Sequence, residues 1–494
     1  MYLLGLDIGS SSIKAALVRA DTGEKVALVQ SPETELPMHA PRPGWAEQDP
    51  DTWWQHTALA IKKLLHETGV QPDSIRGIGI AYQMHGLVLL DRDLKVLRPA
   101  IIWCDSRAVE IGRKAFEALE PEICLRYLLN SPGNFTASKL RWVQEHEPEV
   151  YERIRYFCLP GDYIALRLSG EALSTPGGLS EGILWNYGAG EPAGFLMAHY
   201  GIDPALIPPL RPALSFQGRL SAEAAAATGL ATGTPIGYRA GDQPNNALSL
   251  NVLSPGELAA TGGTSGVVYG VVDRPVYDRQ SRVNGFLHVN HRPEAPRIGV
   301  LLCINGAGSQ YAWVKRHIAE PGSNYTQMEQ AAAGIPAGSE GLRVLPFGNG
   351  AERMLDNRDP GAHILRLQSN LHTRAHLYRA TLEGIAFSFV YGVGIMQDMG
   401  LRVDKLRVGN DNLFQSAVFS RTIAGLLRCP IELYDTSGAV GAAIASGAGL
   451  GYFASPEEGL AKLRIVDTYE PEQSGGLDEV FEDWKEVLGR VLGG

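Results

Sequence analysis

Hydrophobic and polar positions alternate along this chain in two rhythms. Near the N-terminus, apolar stretches cover residues 2–7, 13–19 and 25–30. They break at Gly9-Ser10-Ser11-Ser12 and at Asp21-Thr22-Gly23, which predicts a three-stranded meander. From residue 50 the spacing becomes helical. Trp54, Ala58, Ile61, Leu64 and Leu65 share one face, Asp49 suits the N-cap, Pro50 the first turn and Gly69 the C-terminal cap, so a helix is expected over 50–68. A buried strand over 75–81 leads to Gln83-Met84-His85-Gly86, and residues 87–90 and 96–102 read as a further strand pair. Helices and loops mix over 106–235, including an alanine-rich helix at 223–228 stopped by Gly229.

A short strand at 236–240 runs into Gly241-Asp242-Gln243-Pro244, and a helix over 245–253 bridges to residue 257. There strand, turn, strand begins again around Gly263-Thr264-Ser265. Later come a long helix at 373–397, a strand at 405–408 ending in Gly409-Asn410-Asp411-Asn412, and a helix at 414–427. Strands and helices alternate throughout, so the fold class is α/β. Both halves open with the same strand–turn–strand order, the mark of a duplicated domain.

Composition narrows the function classes. At 494 residues two large domains are expected. A net charge of -10 argues against nucleic acid as a partner. The five cysteines are scattered and form no Cys-x-x-Cys pair, which excludes a zinc knuckle and fits a reduced, cytoplasmic protein. The chain opens directly into a strand pattern, so no secretory leader is expected. Residues 438–454, the most apolar stretch, are mostly Gly, Ala and Ser and read as a close-packed buried helix, with no membrane span expected.

The candidate chemistry gathers at the breaks in the pattern. The turns Gly9, Ser10, Ser11, Ser12 and Gly263, Thr264, Ser265 present backbone N–H groups and small hydroxyls, which suits phosphate oxygens, and Lys14 adds a positive charge to the first. Asp7 ends the strand before the first turn. It either holds Mg²⁺ beside phosphates or makes an Asx-type turn, and the matching second turn favours the former. Asp242 is either a base accepting a proton from a sugar hydroxyl during phosphoryl transfer or a cap for the helix that follows. Gln83, Met84 and His85 follow a strand end, where open α/β folds take ligands, and Gln and His suit sugar hydroxyls; the plainer alternative is a polar loop with a half-buried Met. Trp103 either stacks on a sugar or belongs to the core. Asp105 and Arg107 either bind substrate or pair with each other.

In order and together, seven segments resemble the FGGY family of carbohydrate kinases over nearly the whole chain. They are Gly5-Leu6-Asp7-Ile8-Gly9-Ser10-Ser11, Trp45-Ala46-Glu47-Gln48-Asp49-Pro50, Gln83-Met84-His85-Gly86, Arg98-Pro99-Ala100-Ile101-Ile102-Trp103, residues 135–143, Gly263-Thr264-Ser265-Gly266 and Leu382-Glu383-Gly384. The resemblance implies two actin-like (ribonuclease-H-like) domains, 1–245 for sugar and the first phosphate loop and 246–494 for nucleotide and the second. ATP would lie in the cleft between them, with Mg²⁺ at Asp7. The implied reaction is ATP-dependent phosphorylation of a ketose, D-xylulose, at its terminal hydroxyl. Another ketose, a polyol or a sugar acid is the alternative acceptor, and a non-catalytic sugar- or nucleotide-binding relative is the other alternative. By position, Asp242 matches the family's proton acceptor, and Met84 and His85 match its ketose-binding pair. Gly263, Thr264 and Ser265 match its second phosphate loop. Gln243 follows Asp242 where the ketose branch usually has Asn. Gly409, Asn410 and Asn412 lie at the adenine loop, polar where the family is Gly-rich, and Arg366 replaces a signature Gly. The expected partners are a small sugar and ATP, and the resemblance leaves room for a homodimer.

Overall fold

Two mixed β-sheets organise the chain in the computed structural model, which describes residues 1–472 and 475–493. In the first sheet, Tyr2–Ile8 (β1), Ile13–Arg19 (β2) and Lys25–Ser31 (β3) form the antiparallel meander. Ile75–Tyr82 (β4) and Ile236–Gly241 (β5) run parallel to β1, giving the order β5-β4-β1-β2-β3. In the second, Glu257–Gly262 (β6) and Gly266–Val272 (β7) form a hairpin extended by Asn284–Leu287 (β8) and Ile298–Ile304 (β9). Lys405–Gly409 (β10) and Ile431–Tyr434 (β11) then run parallel to β6, and Ile465–Tyr469 (β12) lies at the edge, in the order β8-β9-β7-β6-β10-β11-β12. The series β3-β2-β1-β4-β5 and β9-β7-β6-β10-β11 therefore share one topology: an antiparallel three-strand unit followed by two strands parallel to its first. The repeated opening of the two halves expresses this common plan.

The helix Pro50–Thr68 (α1) forms where its signals stand. The Asp49 carboxylate accepts from the Asp51 N–H, and Gly69 closes the helix in the left-handed region at φ 64°. Its buried face is rotated from the expected one. Trp53, Thr57 and Ala60 join Trp54, Ile61 and Leu64 inside, while Ala58 and Leu65 are only half-buried. Thr57 enters the core because its hydroxyl donates to the Trp53 carbonyl at 2.8 Å, which removes the cost of burying it. The expected pairing of 87–90 with 96–102 is replaced. Val88–Leu90 pairs with Tyr156–Cys158 and Ala100–Ile101 with Glu47–Gln48, leaving only isolated bridges between the two segments.

Other helices relevant to the site are Thr136–His146 (α2), Pro176–Glu181 (α3), Asp242–Ser249 (α4), Gly308–His317 (α5), Arg374–Asp398 (α6), Gly438–Gly449 (α7) and Leu477–Gly493 (α8). Helix α4 starts three residues before the expected 245 because Pro244 is tolerated in a first turn, and it stops by Asn251, which takes a left-handed φ of 56°. It runs unbroken through residues 245 and 246. Helix α7 follows the second sheet's β11 yet packs against the first sheet. Leu3, Ala81, Tyr238 and Ala240 of that sheet share one core with Ala439, Ala442, Ala443 and Ala445. The approach is close: a Cβ on Gly5 would lie 1.8 Å from the Ala439 carbonyl oxygen, and one on Gly79 would lie 1.9 Å from that of Ala442. Among the described residues, no helix is long and apolar enough to cross a membrane.

Candidate active site

Parallel strands that end in register present their loops together, and open α/β sheets take ligands at that edge. In the first sheet Ile8 is in register with Tyr82, and Tyr82 with Gly241. The 9–12 turn, the 83–86 loop and Asp242 thus emerge side by side. In the second, Ala260 pairs with Val408 and Gly409 with Tyr434, so the 263–265 turn, the 409–412 loop and residues 435–437 emerge together. The two edges meet at Asp7. A Cβ on Gly438, the first residue of α7, would lie 2.7 Å from Asp7 Oδ2, and buried Asn245 donates from Nδ2 to the Gly438 carbonyl at 2.9 Å.

Both Gly/Ser/Thr turns are tied down by their carbonyls. Gln48 Nε2 donates to the Ser10 carbonyl and the Leu36 N–H to that of Ser11, each at 2.7 Å. The N–H groups of Gly308 and Ser309, at the start of α5, donate to the carbonyls of Gly263 (3.1 Å) and Thr264 (2.9 Å). In a trans peptide the N–H points opposite to the C=O. Engaging these carbonyls from the protein side therefore turns the N–H groups of Ser11, Ser12, Thr264 and Ser265 away from it, as an anion cradle requires. Gly9 closes the first turn by donating to the Ser12 carbonyl at 3.1 Å.

Two carboxyl groups stand between these edges. Burial raises the pKa of Asp7 above its ordinary value, opposed by the charge of Lys14, its cross-strand partner. Asp242 occupies the first turn of α4 behind Gly241, the residue in the N-cap position. Burial, reinforced by the neighbouring Asp7, pushes it up to about 7, while Gln243 bonds its carboxylate from backbone and side chain and works the other way. A carboxyl group that titrates near neutrality can take a proton from a hydroxyl and release it again. Among the described residues no cluster of three or more His, Cys, Asp or Glu side chains has the geometry of a metal cage. A cation here would take Asp7 together with phosphate oxygens and water, the mode that suits Mg²⁺.

The 83–86 loop divides its residues. His85 adopts φ 60°, a strained conformation for a bulky side chain, and its Nδ1 lies 2.8 Å from the Glu181 carbonyl. A carbonyl only accepts, so Nδ1 carries the hydrogen. Burial and the Lys139 ammonium push the ring down to about 3, so it is neutral and Nε2 is an acceptor for a hydroxyl. Buried Met84 packs toward Gly241. Trp103 is 53% exposed, with its indole N–H 3.3 Å from Ser10 Oγ, which leaves ring surface open beside the first turn.

Two of the candidate sugar contacts are engaged within the protein. Gln83 is buried and donates from Nε2 to Gln48 Oε1 at 3.3 Å, so it supports the residue that holds the Ser10 carbonyl. Asp105 is fully buried; its Oδ2 accepts from the Ala46 N–H at 2.6 Å and from Arg107 Nη2 at 2.7 Å, and the Arg107 guanidinium lies 3.8 Å over Trp45. Sequence position could not separate these outcomes, because a loop residue two positions from a ligand contact can as well point inward.

At the other end, Asn410 and Asn412 are exposed, the Asn410 N–H donates to the Tyr434 carbonyl at 3.0 Å, and only Asn412 of the polar loop is left-handed, at φ 50°. A Cβ on Gly262 would lie 3.0 Å from that of Leu413, so this loop adjoins the 263–265 turn. Arg366 is left-handed at φ 60°, the conformation a Gly would supply without strain, and Nη1 meets Asp483 Oδ2 of α8 at 2.7 Å.

Sequence reasoning missed several supporting residues. Lys139 of α2, fully buried and pushed down to about 7 by its burial, donates to the carbonyls of His85 (2.8 Å) and Ile102 (2.9 Å) and so braces the 83–86 loop. A lone Lys inside the apolar pattern of residues 135–143 was the available signal. Gln48, Asn245 and Glu181 carried no signal in their spacing.

Comparison with known proteins agrees over the whole length. Residues 2–249 match the N-terminal domain of the FGGY family of carbohydrate kinases, and residues 258–450 match its C-terminal domain. The chain is 30% identical to the xylulose kinase of Bacillus subtilis over 481 residues, covering 92% of this chain and 90% of that protein. It is 32% identical to the L-xylulose/3-keto-L-gulonate kinase of Escherichia coli, covering 94% and 91%. The crystal structure of xylulose kinase from Rhodospirillum rubrum superposes with a TM-score of 0.89 at 29% identity, covering 99% of each chain.

Proposed function

We propose that this chain, which belongs to the FGGY family of carbohydrate kinases and so phosphorylates a sugar with ATP, takes D-xylulose as its acceptor and forms D-xylulose 5-phosphate. The observation that carries the reading is the meeting of Asp7 and Asp242 at the joined strand ends, with Asp242 pushed up to about 7. Asp242 is the base that takes the proton of the terminal hydroxyl, and Gln243 orients it. Met84, His85 and Trp103 hold the ketose, with His85 Nε2 accepting one hydroxyl hydrogen. The family uses ATP with a divalent metal; we take the ion to be Mg²⁺, held by Asp7. Bound Mg·ATP supplies the electrophilic phosphoryl group. Gly9, Ser10, Ser11, Ser12 and Lys14 on one side, and Gly263, Thr264 and Ser265 on the other, hold its phosphates, and Gly409, Asn410 and Asn412 border the base. We read residues 1–245 and 246–494 as two domains hinged through α4 and α7, whose closure keeps water from competing with the sugar. A homodimer in the cytoplasm completes the reading, and light scattering checks the dimer.

The E. coli relative's name and the Gln at 243 favour a second reading, a related ketose or sugar acid as acceptor. A sugar panel with Mg·ATP, followed by ADP release, separates the two. D-Xylulose is expected to give the highest kcat/KM, and no more ADP with D-xylulose than with water would end the xylulose reading. Asp242→Ala is expected to lower kcat by about 10²–10⁴-fold.

A further inference from the structure

Glu181 is a buried carboxyl group to which none of these roles falls. It ends helix α3, whose N-cap is Thr175, and is 2% exposed. Its side chain lies against the residue before Asp242: a Cβ on Gly241 would be 2.2 Å from Glu181 Oε2 and 2.6 Å from Met84 Cγ. Its backbone carbonyl is the acceptor that orients His85 at 2.8 Å. Its Oε1 is sealed from solvent.

Asp242, Asp162 and the Tyr82 phenol face Glu181, and Asp162 is itself paired with Arg239 at 3.0 Å. Burial first, then these two acidic neighbours, raise the Glu181 carboxyl group well above its ordinary value. It also forms part of the wall of a cavity of about 520 Å³ whose other walls include Gly241, Arg239 and, from the second half of the chain, Phe286.

We propose that Glu181 is a positioning residue for phosphoryl transfer. Its carboxyl group sets the Gly241–Asp242 backbone and the Met84 side chain, and its carbonyl sets the His85 ring, so one residue registers the base against the ketose-binding pair. The inference rests on the kinase reading. It matters because displacing a reacting group by about 1 Å can cost about 10²-fold in rate. The short helix α3 carries both contacts, so a shift of its last residue moves the base and the sugar-binding ring together.

The test uses the full chain and whichever panel sugar the wild type phosphorylates best, so that a lack of turnover with every sugar counts against the kinase reading alone. Glu181→Gln keeps a side chain of the same shape and is expected to retain kcat/KM within about threefold. Glu181→Ala is expected to lower kcat/KM for the sugar about tenfold and leave KM for ATP within about twofold. Gly241→Ala, which drives a methyl group into Glu181, is expected to lose about 10²-fold. The Gly241→Ala/Glu181→Ala double variant, which relieves the Glu181 contact and leaves only the 2.6 Å approach to Met84, should recover at least about tenfold of that loss.

Losses that multiply in the double variant, or a folded Glu181→Ala protein within about twofold of wild type, would overturn the proposal. Hydrogen exchange reads the same contact without turnover. Glu181→Ala should speed exchange at the 83–87 and 241–243 amides, Glu181→Gln should not, and unchanged exchange in both counts against the role.

Discussion

At the scale of single residues, the decisive quantity is the proton on Asp242. The group holds its proton up to about 7 in the folded chain, against an ordinary value near 3.8. In the proposed role of base it must be ionised, so kcat/KM for the sugar is expected to rise with pH through about 7 and level off above it. A steady-state pH profile checks this, and a flat profile would remove Asp242 from the role. The same shift bears on stability. Between the two values the folded state binds more protons than the unfolded one, so Asp242 costs stability as pH rises through that window. Asp242→Asn should therefore raise the melting temperature at about pH 8 while leaving it little changed near pH 4, in a protein that turns over poorly. Asp7, His85 and Asp242 stand out in the sequence because each lies at or just beyond a strand end. Gln83 and Asp105 occupy similar positions, and only side-chain direction distinguishes them.

Among the elements, the seam between α7 and the first sheet is the tightest contact that touches the site. Gly79 faces the backbone of that helix, and a backbone carbonyl cannot rotate aside as a side chain can. Gly79→Ala is expected to destabilise the chain by about 1–3 kcal/mol through overpacking, read by calorimetric melting. Gly394, inside α6, has nothing within 4 Å of a Cβ position. Gly394→Ala is expected to stabilise by up to about 1 kcal/mol through helix propensity, and equal effects from the two substitutions would refute the packing argument. Helix α1 was legible to the residue at both ends because its caps are local. Its buried face was not, since the rotation that brings Trp53 and Thr57 inside depends on what lies across from it. The strand partners of 87–90 were hidden for the same reason: Tyr156–Cys158 is remote in sequence.

Over the whole molecule, the two sheets are joined by exchange. Helix α7 follows the second sheet in sequence but packs on the first, and α4 carries Asn245 from the first sheet's last strand to the Gly438 carbonyl at 2.9 Å. Ligands that bridge both edges should draw them together, so small-angle scattering with a non-hydrolysable ATP analogue and the preferred sugar is expected to give a smaller radius of gyration than either ligand alone; no change would argue against closure. The sequence by itself determined the α/β class, the repeated opening of the two halves, both Gly/Ser/Thr turns and the strand-end positions of Asp7, His85 and Asp242. These follow from local periodicity, turn chemistry and short-range order. Tertiary structure alone decided that Gly438 of α7, following the second sheet in the chain, approaches Asp7 of the first, that Gln83 and Asp105 turn inward, and that Lys139, Asn245 and Glu181 brace the site. Each of those outcomes depends on contacts between segments distant in the chain, where burial and hydrogen-bond geometry, not spacing, select the partner.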